Sequence, residues 1–67
     1  MKLYEIPRDS KIKCECSDGS KHITFHRIDG MYSFCSTEKG GICHLFAGTE
    51  LEKENDYYIL VIPEKES

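Results

Sequence analysis

The chain has 67 residues, of which 39% are hydrophobic and 31% are charged, and its formal net charge is −3 at pH 7. A chain this short buries only about 60% of the surface that it exposes when unfolded, so we expect one domain with a thin core. Long active-site clefts and large cofactors are therefore not expected, and the composition is that of a globular domain rather than a disordered one.

The first predicted strands lie in the N-terminal quarter of the chain. Residues 2–6 form a short strand that ends at Pro7, because proline cannot donate a hydrogen bond to a neighbouring strand. Residues 11–16 alternate strictly between apolar and charged side chains, which predicts a half-buried strand with Ile12, Cys14 and Cys16 on one face. A turn over residues 17–20 follows.

The clearest signal in the sequence is a β-hairpin with strands over residues 22–28 and 31–36. Asp29-Gly30 between two β-prone segments is typical of a two-residue type I′ turn. With that loop, Ile28 pairs with Met31, Arg27 with Tyr32, Phe25 with Phe34 and Ile23 with Ser36. One face of the hairpin is then strongly apolar and comprises Ile23, Phe25, Tyr32 and Phe34.

The next turn, over residues 37–41, allows two registers. A three-residue loop with Gly40 in the left-handed region sets Cys35 opposite Cys43, whereas a two-residue Lys39-Gly40 loop sets Phe34 opposite Leu45. We favour the three-residue loop because it uses the conformational freedom of the glycine. A one-residue slip would move every side chain to the other face.

The remaining segments complete a small all-β domain. Residues 42–47 form a fifth strand, and residues 57–62 form a sixth that ends at Pro63. Thr49 and Glu52 fit a capping box, which predicts a short helical turn near residues 49–55. We predict a single domain over residues 1–67, with five or six antiparallel strands curled into an SH3-like barrel or roll. The predicted core consists of Ile12, Ile23, Phe25, Phe34, Leu45, Ile59 and Val61.

Four cysteines, Cys14, Cys16, Cys35 and Cys43, allow three interpretations. A zinc site would stabilise so thin a core. On a strand, however, Cys14 and Cys16 lie about 6.6 Å apart at the backbone, and their convergence on one ion would need a distortion. A Cys35–Cys43 disulfide would need an oxidising compartment. We favour free, small and buried side chains, and we predict no metal and no cofactor.

The sequence does not predict an enzyme. Cys43 and His44 are adjacent and therefore point to opposite faces of a strand, although Cys35 could share the polar face of the hairpin with His22 and His26. No glycine-rich nucleophile turn or phosphate loop accompanies them.

The longest apolar run, residues 59–62, is far below the roughly 20 residues that cross a bilayer. Charged side chains interrupt any apolar signal-peptide core near the N-terminus. We therefore expect a cytoplasmic protein without a membrane partner. Charge is unevenly distributed, with six basic and four acidic side chains in residues 1–28 and three basic and eight acidic ones in residues 29–67.

The segments MKLYEIPRDSKI (1–12), ITFH (23–26) and DGMY (29–32) resemble short uncharacterised proteins encoded by tailed bacteriophages. The resemblance covers about residues 1–60 and implies a phage accessory protein that acts on a host or phage protein in the bacterial cytoplasm. Its motifs are structural, so it assigns no catalytic residue to this chain.

The leading functional hypothesis is a non-catalytic module that binds a protein partner through an exposed strand edge. The acidic residues that we assign to this surface are Glu50, Glu52, Glu54 and Asp56. The same kind of edge also allows weak pairing of two copies. The alternative is a nucleic-acid-binding barrel that uses Lys11, Lys13, Lys21 and Arg27, which the net negative charge disfavours. A second alternative is a zinc-stabilised module through the four cysteines.

Overall fold

The computed structural model describes residues 1–61, which form one six-stranded sheet and no α-helix. The strands are β1 (Lys11–Lys13), β2 (His22–Asp29), β3 (Tyr32–Thr37), β4 (Ile42–Cys43), β5 (Leu51–Glu54) and β6 (Tyr57–Leu60). Their order in the sheet is β4-β3-β2-β1-β6-β5, so β4 and β5 are the two edge strands of an open roll. The predicted all-β class is confirmed, and the SH3-like architecture stays a prediction.

The sheet is mixed rather than purely antiparallel, because β1 and β6 run parallel. Ile12 pairs with Tyr58 and Lys13 with Ile59, whereas every other pair of neighbouring strands is antiparallel. The expectation of an all-antiparallel sheet is therefore wrong at this one pair. Parallel partners must be joined by a long connection, and here that connection contains β2 to β5.

The predicted hairpin exists, but its loop is Gly30-Met31 and not Asp29-Gly30. Asp29 pairs with Tyr32, and Gly30 has a φ of 70°, as the first central residue of a type II′ turn requires. A β-bulge then shifts the register between Phe25 and Arg27, so that Phe25 pairs with Cys35. The pairs predicted from the type I′ turn are accordingly wrong.

This register changes which side chains of the hairpin are buried. Ser33 and Cys35 on β3 are fully buried beside the core, whereas Tyr32 is exposed and Phe34 lies half-buried on the outer face. The predicted apolar face is thus correct for Ile23 and Phe25 and wrong for the two aromatic residues of β3.

The turn at residues 37–41 follows the favoured alternative. Cys35 pairs with Cys43, and Gly40 has a φ of 89°. The N–H of Thr37 donates to the carbonyl of Gly41 at 2.9 Å, which leaves a three-residue loop over residues 38–40. The predicted register of β3 and β4 is confirmed.

Three other element predictions need correction. The segment at the N-terminus is a 3-10 helix, Leu3–Glu5, rather than a strand, and the strand predicted over 11–16 ends at Lys13. Residues 51–54 form β5 instead of a helical turn, since the hydroxyl of Thr49 donates back to the carbonyl of Phe46 at 2.6 Å and does not cap a helix.

Two strand ends also differ from prediction. The fifth strand is shorter than residues 42–47, although an isolated bridge joins Tyr32 and Phe46. The sixth strand ends at Leu60, and its predicted extension to residue 62 and end at Pro63 lie outside the described residues.

The core lies on the inner face of the rolled sheet and under the N-terminal segment. Its buried apolar members are Leu3, Ile6, Ile12, Ile23, Phe25, Cys35, Leu51 and Tyr58. Ile12, Ile23 and Phe25 are confirmed core predictions, and Leu45 packs against the core at its margin. Phe34, Ile59 and Val61 are not part of it, and Val61 is 37% exposed. On β6 it is Tyr58 that is buried, so its neighbour Ile59 points to the other face.

The first residues of the chain cover one end of the roll. The N–H of Leu3 donates to Thr49 O at 2.9 Å, and the N–H of Tyr4 donates to Ala47 O at 3.2 Å. The N–H of Leu51 donates to Met1 O at 2.6 Å. These bonds hold residues 1–4 against the segment that connects the two edge strands.

Candidate functional site

The acidic residues predicted to bind a partner lie on or next to the edge strand β5. Glu50 is already engaged, because its carboxylate is 2.8 Å from the Met1 ammonium and 3.0 Å from Lys2 Nζ. These two cations hold the pKa of Glu50 below its ordinary value. Glu52, Glu54 and Asp56 are exposed.

The free side of the β5 backbone is partly closed. The N-terminal ammonium donates to Leu51 O at 2.9 Å, and Leu51 N–H donates to Met1 O. Backbone groups alternate in direction along a strand, so Lys53 is the next residue of β5 whose N–H and C=O face outward. The charged side chains of this short strand also discourage pairing with another chain.

The basic residues of the nucleic-acid hypothesis do not form one positive face. Lys13 pairs with Ile59, which pairs with Glu52, so these three side chains share the outer face. Glu52 thus lies only two strands, or about 10 Å, from Lys13. Lys21 Nζ is 3.6 Å from a carboxylate oxygen of Glu15.

The other two basic residues of that hypothesis are also separated. Lys11 is exposed on β1, and Arg27 lies on β2 with its guanidinium 4.5 Å from the centre of the Phe34 ring. The acidic and basic sets are therefore mixed on the outer face rather than segregated.

The edge strand β4 presents unpaired backbone groups. Thr37 N–H donates to Gly41 O at 2.9 Å, and Ser33 N–H donates to Leu45 O at 2.7 Å. Because the bonded positions alternate, the N–H and C=O groups of Ile42 and His44 point away from β3. Within residues 1–61 these groups have no hydrogen-bond partner.

Beside that edge lie four aromatic side chains and one isoleucine, all of them exposed except the half-buried Phe34. We call these residues the β3–β4 surface (Tyr32, Phe34, Ile42, His44 and Phe46). Tyr32 and Phe46 are 53% and 50% exposed and pack edge to face with ring centres 6.1 Å apart. The rings of Phe34 and His44 are 6.0 Å apart. The sequence does not predict this surface, because strand alternation places Phe34 in the core and no local pattern marks Phe46 as exposed.

The cysteines converge at the opposite face of the same edge. The sulfur atoms of Cys14, Cys16 and Cys43 all lie within 4.8 Å of one another. Burial, and then the neighbouring thiols, raise the pKa of Cys43 to about 11. Burial is also the largest cause of the raised pKa of Cys14, followed by the neighbouring Cys16. The expectation that strand geometry keeps Cys14 and Cys16 apart is wrong, because β1 ends before them.

Cys35 lies behind this cluster as the cross-strand partner of Cys43. It is fully buried, its Sγ is 3.3 Å from Ser33 Oγ, and burial raises its pKa. All four cysteines are free thiols, including the pair considered for a disulfide.

The loops that carry the cysteines are joined by Asp18. One carboxylate oxygen accepts a hydrogen bond from Thr37 Oγ1 at 2.8 Å, and the other accepts one from Ser20 N–H at 2.8 Å. Both bonds lower the pKa of Asp18, and the one from the backbone N–H of Ser20 has the larger effect. Residues 14–20 and 37–43 are thereby held as one rim of the roll.

The thiol–imidazole pair considered for catalysis is not formed. Cys35 is buried on the inner face, whereas His22 and His26 lie on the outer face of β2. His26 Nε2 is 2.8 Å from Ser36 Oγ, and His22 Nδ1 is 3.4 Å from a carboxylate oxygen of Glu38. The bulge in β2 explains the difference from the predicted shared face.

Comparison with protein families, curated proteins and solved structures finds no match to this chain. Within residues 1–61, no helix is long and apolar enough to cross a membrane. Function is therefore inferred from the surfaces and side-chain clusters above.

Proposed function

We propose that this protein is a non-catalytic interaction module that binds an extended segment of a partner protein along the β4 edge. The observation that carries the proposal is the free backbone of Ile42 and His44 beside the exposed rings of Tyr32 and Phe46. Main-chain hydrogen bonds to an edge strand provide affinity in this mode of recognition, and the flanking side chains provide selectivity.

The choice of β4 over β5 rests on the contrast between the two edges. The start of β5 is paired with Met1, and its remaining residues are charged. The β4 edge carries no charged residue, and exposed apolar side chains of Met31 and Ile42 extend it. Contiguous apolar surface of this kind is typical of interaction sites. The acidic residues Glu52 and Glu54 would then act at most as a secondary contact.

The partner that we propose is a host or phage protein in the bacterial cytoplasm, as the resemblance to bacteriophage proteins implies. Its bound segment would be extended and would carry apolar side chains on alternate residues, because these face the exposed rings. A net charge of −3 disfavours a polyanion. We further propose that the open roll is a variation on an SH3-like architecture.

The sharpest test uses a proline at the edge. In Ile42→Pro the lost N–H is one that points outward, so no hydrogen bond between β3 and β4 is removed, yet a carbonyl oxygen of the partner strand loses its donor. Ile42→Ala is the matched control, since it removes the side chain and keeps the N–H. We expect capture of a bacterial protein by the wild type and by Ile42→Ala, and loss of that same protein with Ile42→Pro.

Two further variants separate the candidate surfaces. Tyr32→Ser with Phe46→Ser should also abolish capture, whereas Glu52→Gln with Glu54→Gln should leave it largely unchanged. Thermal unfolding of each variant verifies that the fold is retained. A protein that is lost only with the glutamine variants, or no captured protein at all, would contradict the β4 assignment.

Two other ligands, a single-stranded nucleic acid and a second copy of this chain, would give different results in these experiments. Arg27 stacked on Phe34 resembles the platforms on which single-stranded nucleic acids bind. Salt-sensitive binding of an oligonucleotide that is lost with Lys11→Glu and Lys13→Glu would favour the nucleic-acid alternative. A concentration-dependent dimer that Ile42→Pro dissociates would identify a second copy as the occupant instead.

A further inference from the structure

Three thiols from two separate parts of the chain meet at one rim of the roll. Cys14 and Cys16 follow β1, and Cys43 belongs to β4, yet their three sulfur atoms lie within 4.8 Å of one another. All three side chains are half-buried, and a cleft beside them opens to solvent. Sulfur atoms bound to one tetrahedral zinc ion by bonds of about 2.3 Å are about 3.8 Å apart. The distances between the sulfur atoms would therefore have to shorten by roughly 1 Å or less for all three to bind one zinc ion.

We propose that Cys14, Cys16 and Cys43 form a three-thiolate site for Zn²⁺, with solvent at the fourth position. The three sulfur atoms lie on the inner side of β4, whereas the side chains of the β3–β4 surface lie on its outer face, so the proposal does not rest on the proposed function. Binding replaces three S–H bonds by three Zn–S bonds and releases three protons, while the water stays neutral. The bound centre then carries one negative charge.

The surroundings of the three sulfurs fit such a site. Residues 14–16 are irregular, and the backbone N–H groups of Cys14 and Cys16 donate to Lys21 O and Ser20 O, both at 2.9 Å. Asp18 ties this loop to Thr37, next to the turn that precedes Cys43. The loop that carries Cys14 and Cys16 and the turn before Cys43 are thus held in place without a bound ion, as a preorganised site requires.

Cys35 is assigned a packing role instead of a ligand role. It does not belong to the group of sulfurs within 4.8 Å, and its Sγ contacts Ser33 Oγ at the core. The cleft beside the three cysteines is also lined by Asp18 and Gly41, and we assign the fourth ligand position to it. Zinc sites with three protein ligands keep a position for water or another ligand, whereas four-cysteine sites are closed.

The test is a zinc titration of the reduced, metal-free protein in competition with a chromophoric chelator. We expect one Zn²⁺ per chain, release of protons on binding, and a rise in the thermal midpoint on the order of 10 °C at 100-fold excess over the dissociation constant. Co²⁺ in place of Zn²⁺ should give sulfur-to-cobalt charge-transfer absorption and the intense d–d bands of a tetrahedral centre.

Single serine variants identify the ligands. Changes in residues that contact the ligands of a metal weaken binding by about 10–100-fold. We expect a larger loss of zinc affinity in each of Cys14→Ser, Cys16→Ser and Cys43→Ser, because each removes a ligand. Cys35→Ala should retain one Zn²⁺ per chain and the cobalt spectrum. Circular dichroism of the metal-free variants verifies that their folds persist, which is expected because the three ligand side chains are half-buried.

Several outcomes would overturn the proposal. They are the absence of binding that competes with the chelator, loss of binding in Cys35→Ala, or unchanged binding in any of the three serine variants. Intact-mass analysis of protein purified without reductant provides a second measurement. A mass lower by two hydrogen atoms that reductant restores would show a disulfide between two of the four cysteines, and failure of the reduced protein to bind Zn²⁺ afterwards would contradict the metal site.

Discussion

At the scale of single residues, Phe25 is a large apolar side chain of the inner face, and it is almost fully buried. Phe25→Ala should lower the free energy of unfolding by about 3–5 kcal/mol, because it removes apolar contacts and leaves a cavity. That is a large share of the about 5–15 kcal/mol typical of a small domain. Denaturant unfolding followed by circular dichroism measures it.

Phe34→Ala is the matched control, since Phe34 lies on the outer face and packs against Arg27. We expect a loss of about 1 kcal/mol, in line with a partly exposed cation–π contact and some buried area. Equal losses for the two phenylalanines would contradict the bulge in β2 and would favour a regular hairpin in which the two side chains share one face.

Alternation along a strand was sufficient to predict which residues of β1 and the first half of β2 are buried. Ile12, Ile23 and Phe25 follow that pattern directly. Leu3 and Ile6 were missed because their segment is a 3-10 turn and its neighbour, in which period-two alternation has no meaning. Tyr58 was missed because both faces of β6 are apolar, so the sequence does not distinguish its inner face.

At the scale of elements, the existence of each hairpin could be predicted more easily than its register. Asp29-Gly30 correctly predicts a turn, but Gly30 serves as well in the first position of a II′ turn as in the second position of a I′ turn. The bulge at His26 then decides which side chains point inward. Its position depends on how β2 packs over Ser33 and Cys35, and no local signal contains that information.

The loop that was predicted correctly provides a test at this scale. Gly40 has a φ of 89°, and a Cβ built there meets no atom within 4 Å, so a substitution is opposed by backbone conformation and not by a clash. Gly40→Ala should therefore cost about 1–2 kcal/mol. Gly40→Asn should cost less, because asparagine tolerates the left-handed region. Chemical denaturation of both variants measures the difference, and equal costs would show that φ is not the cause.

The cysteine cluster illustrates why a site can be missed when its elements are largely predicted. The pairing of Cys35 with Cys43 was correct, and so was the turn after Cys16. Convergence of Cys14 and Cys16 depends on the early end of β1 and on the curvature of the whole sheet. Both are properties of packing, and neither can be derived from the spacing of cysteines in the sequence.

At the scale of the whole molecule, we expect the stability of the fold to decrease in acid, because three carboxylates bind groups in other segments of the chain. The pKa values of Asp18, Glu38 and Glu50 are lowered from ordinary values of 3.8, 4.5 and 4.5. The largest causes are hydrogen bonds from Ser20 N–H to Asp18, from Lys21 N–H to Glu38, and from the N-terminal ammonium to Glu50.

A carboxylate with a lowered pKa stabilises the fold above its unfolded-state pKa, and this contribution is lost as the pH falls through the folded-state value. The thermal midpoint should accordingly be nearly constant near neutral pH and should fall between about pH 5 and pH 2. Asp18→Asn should flatten part of that fall. A midpoint that rises on acidification would show that repulsion among the excess acidic groups outweighs these contacts.

Closure of the roll depends on the N-terminal segment, because β4 and β5 do not pair with each other. Leu3 is fully buried, and its N–H donates to Thr49 O in the connection between these two strands. Leu3→Ala should therefore lower the free energy of unfolding by about 2–5 kcal/mol, as for a leucine in the centre of a core. Tyr4→Ala is the neighbouring control and should change it by no more than about 0.5 kcal/mol, since Tyr4 is exposed. If Leu3→Ala and Tyr4→Ala have equally small effects, the sheet is stable without its N-terminal cover, and the core must be held by the strands alone.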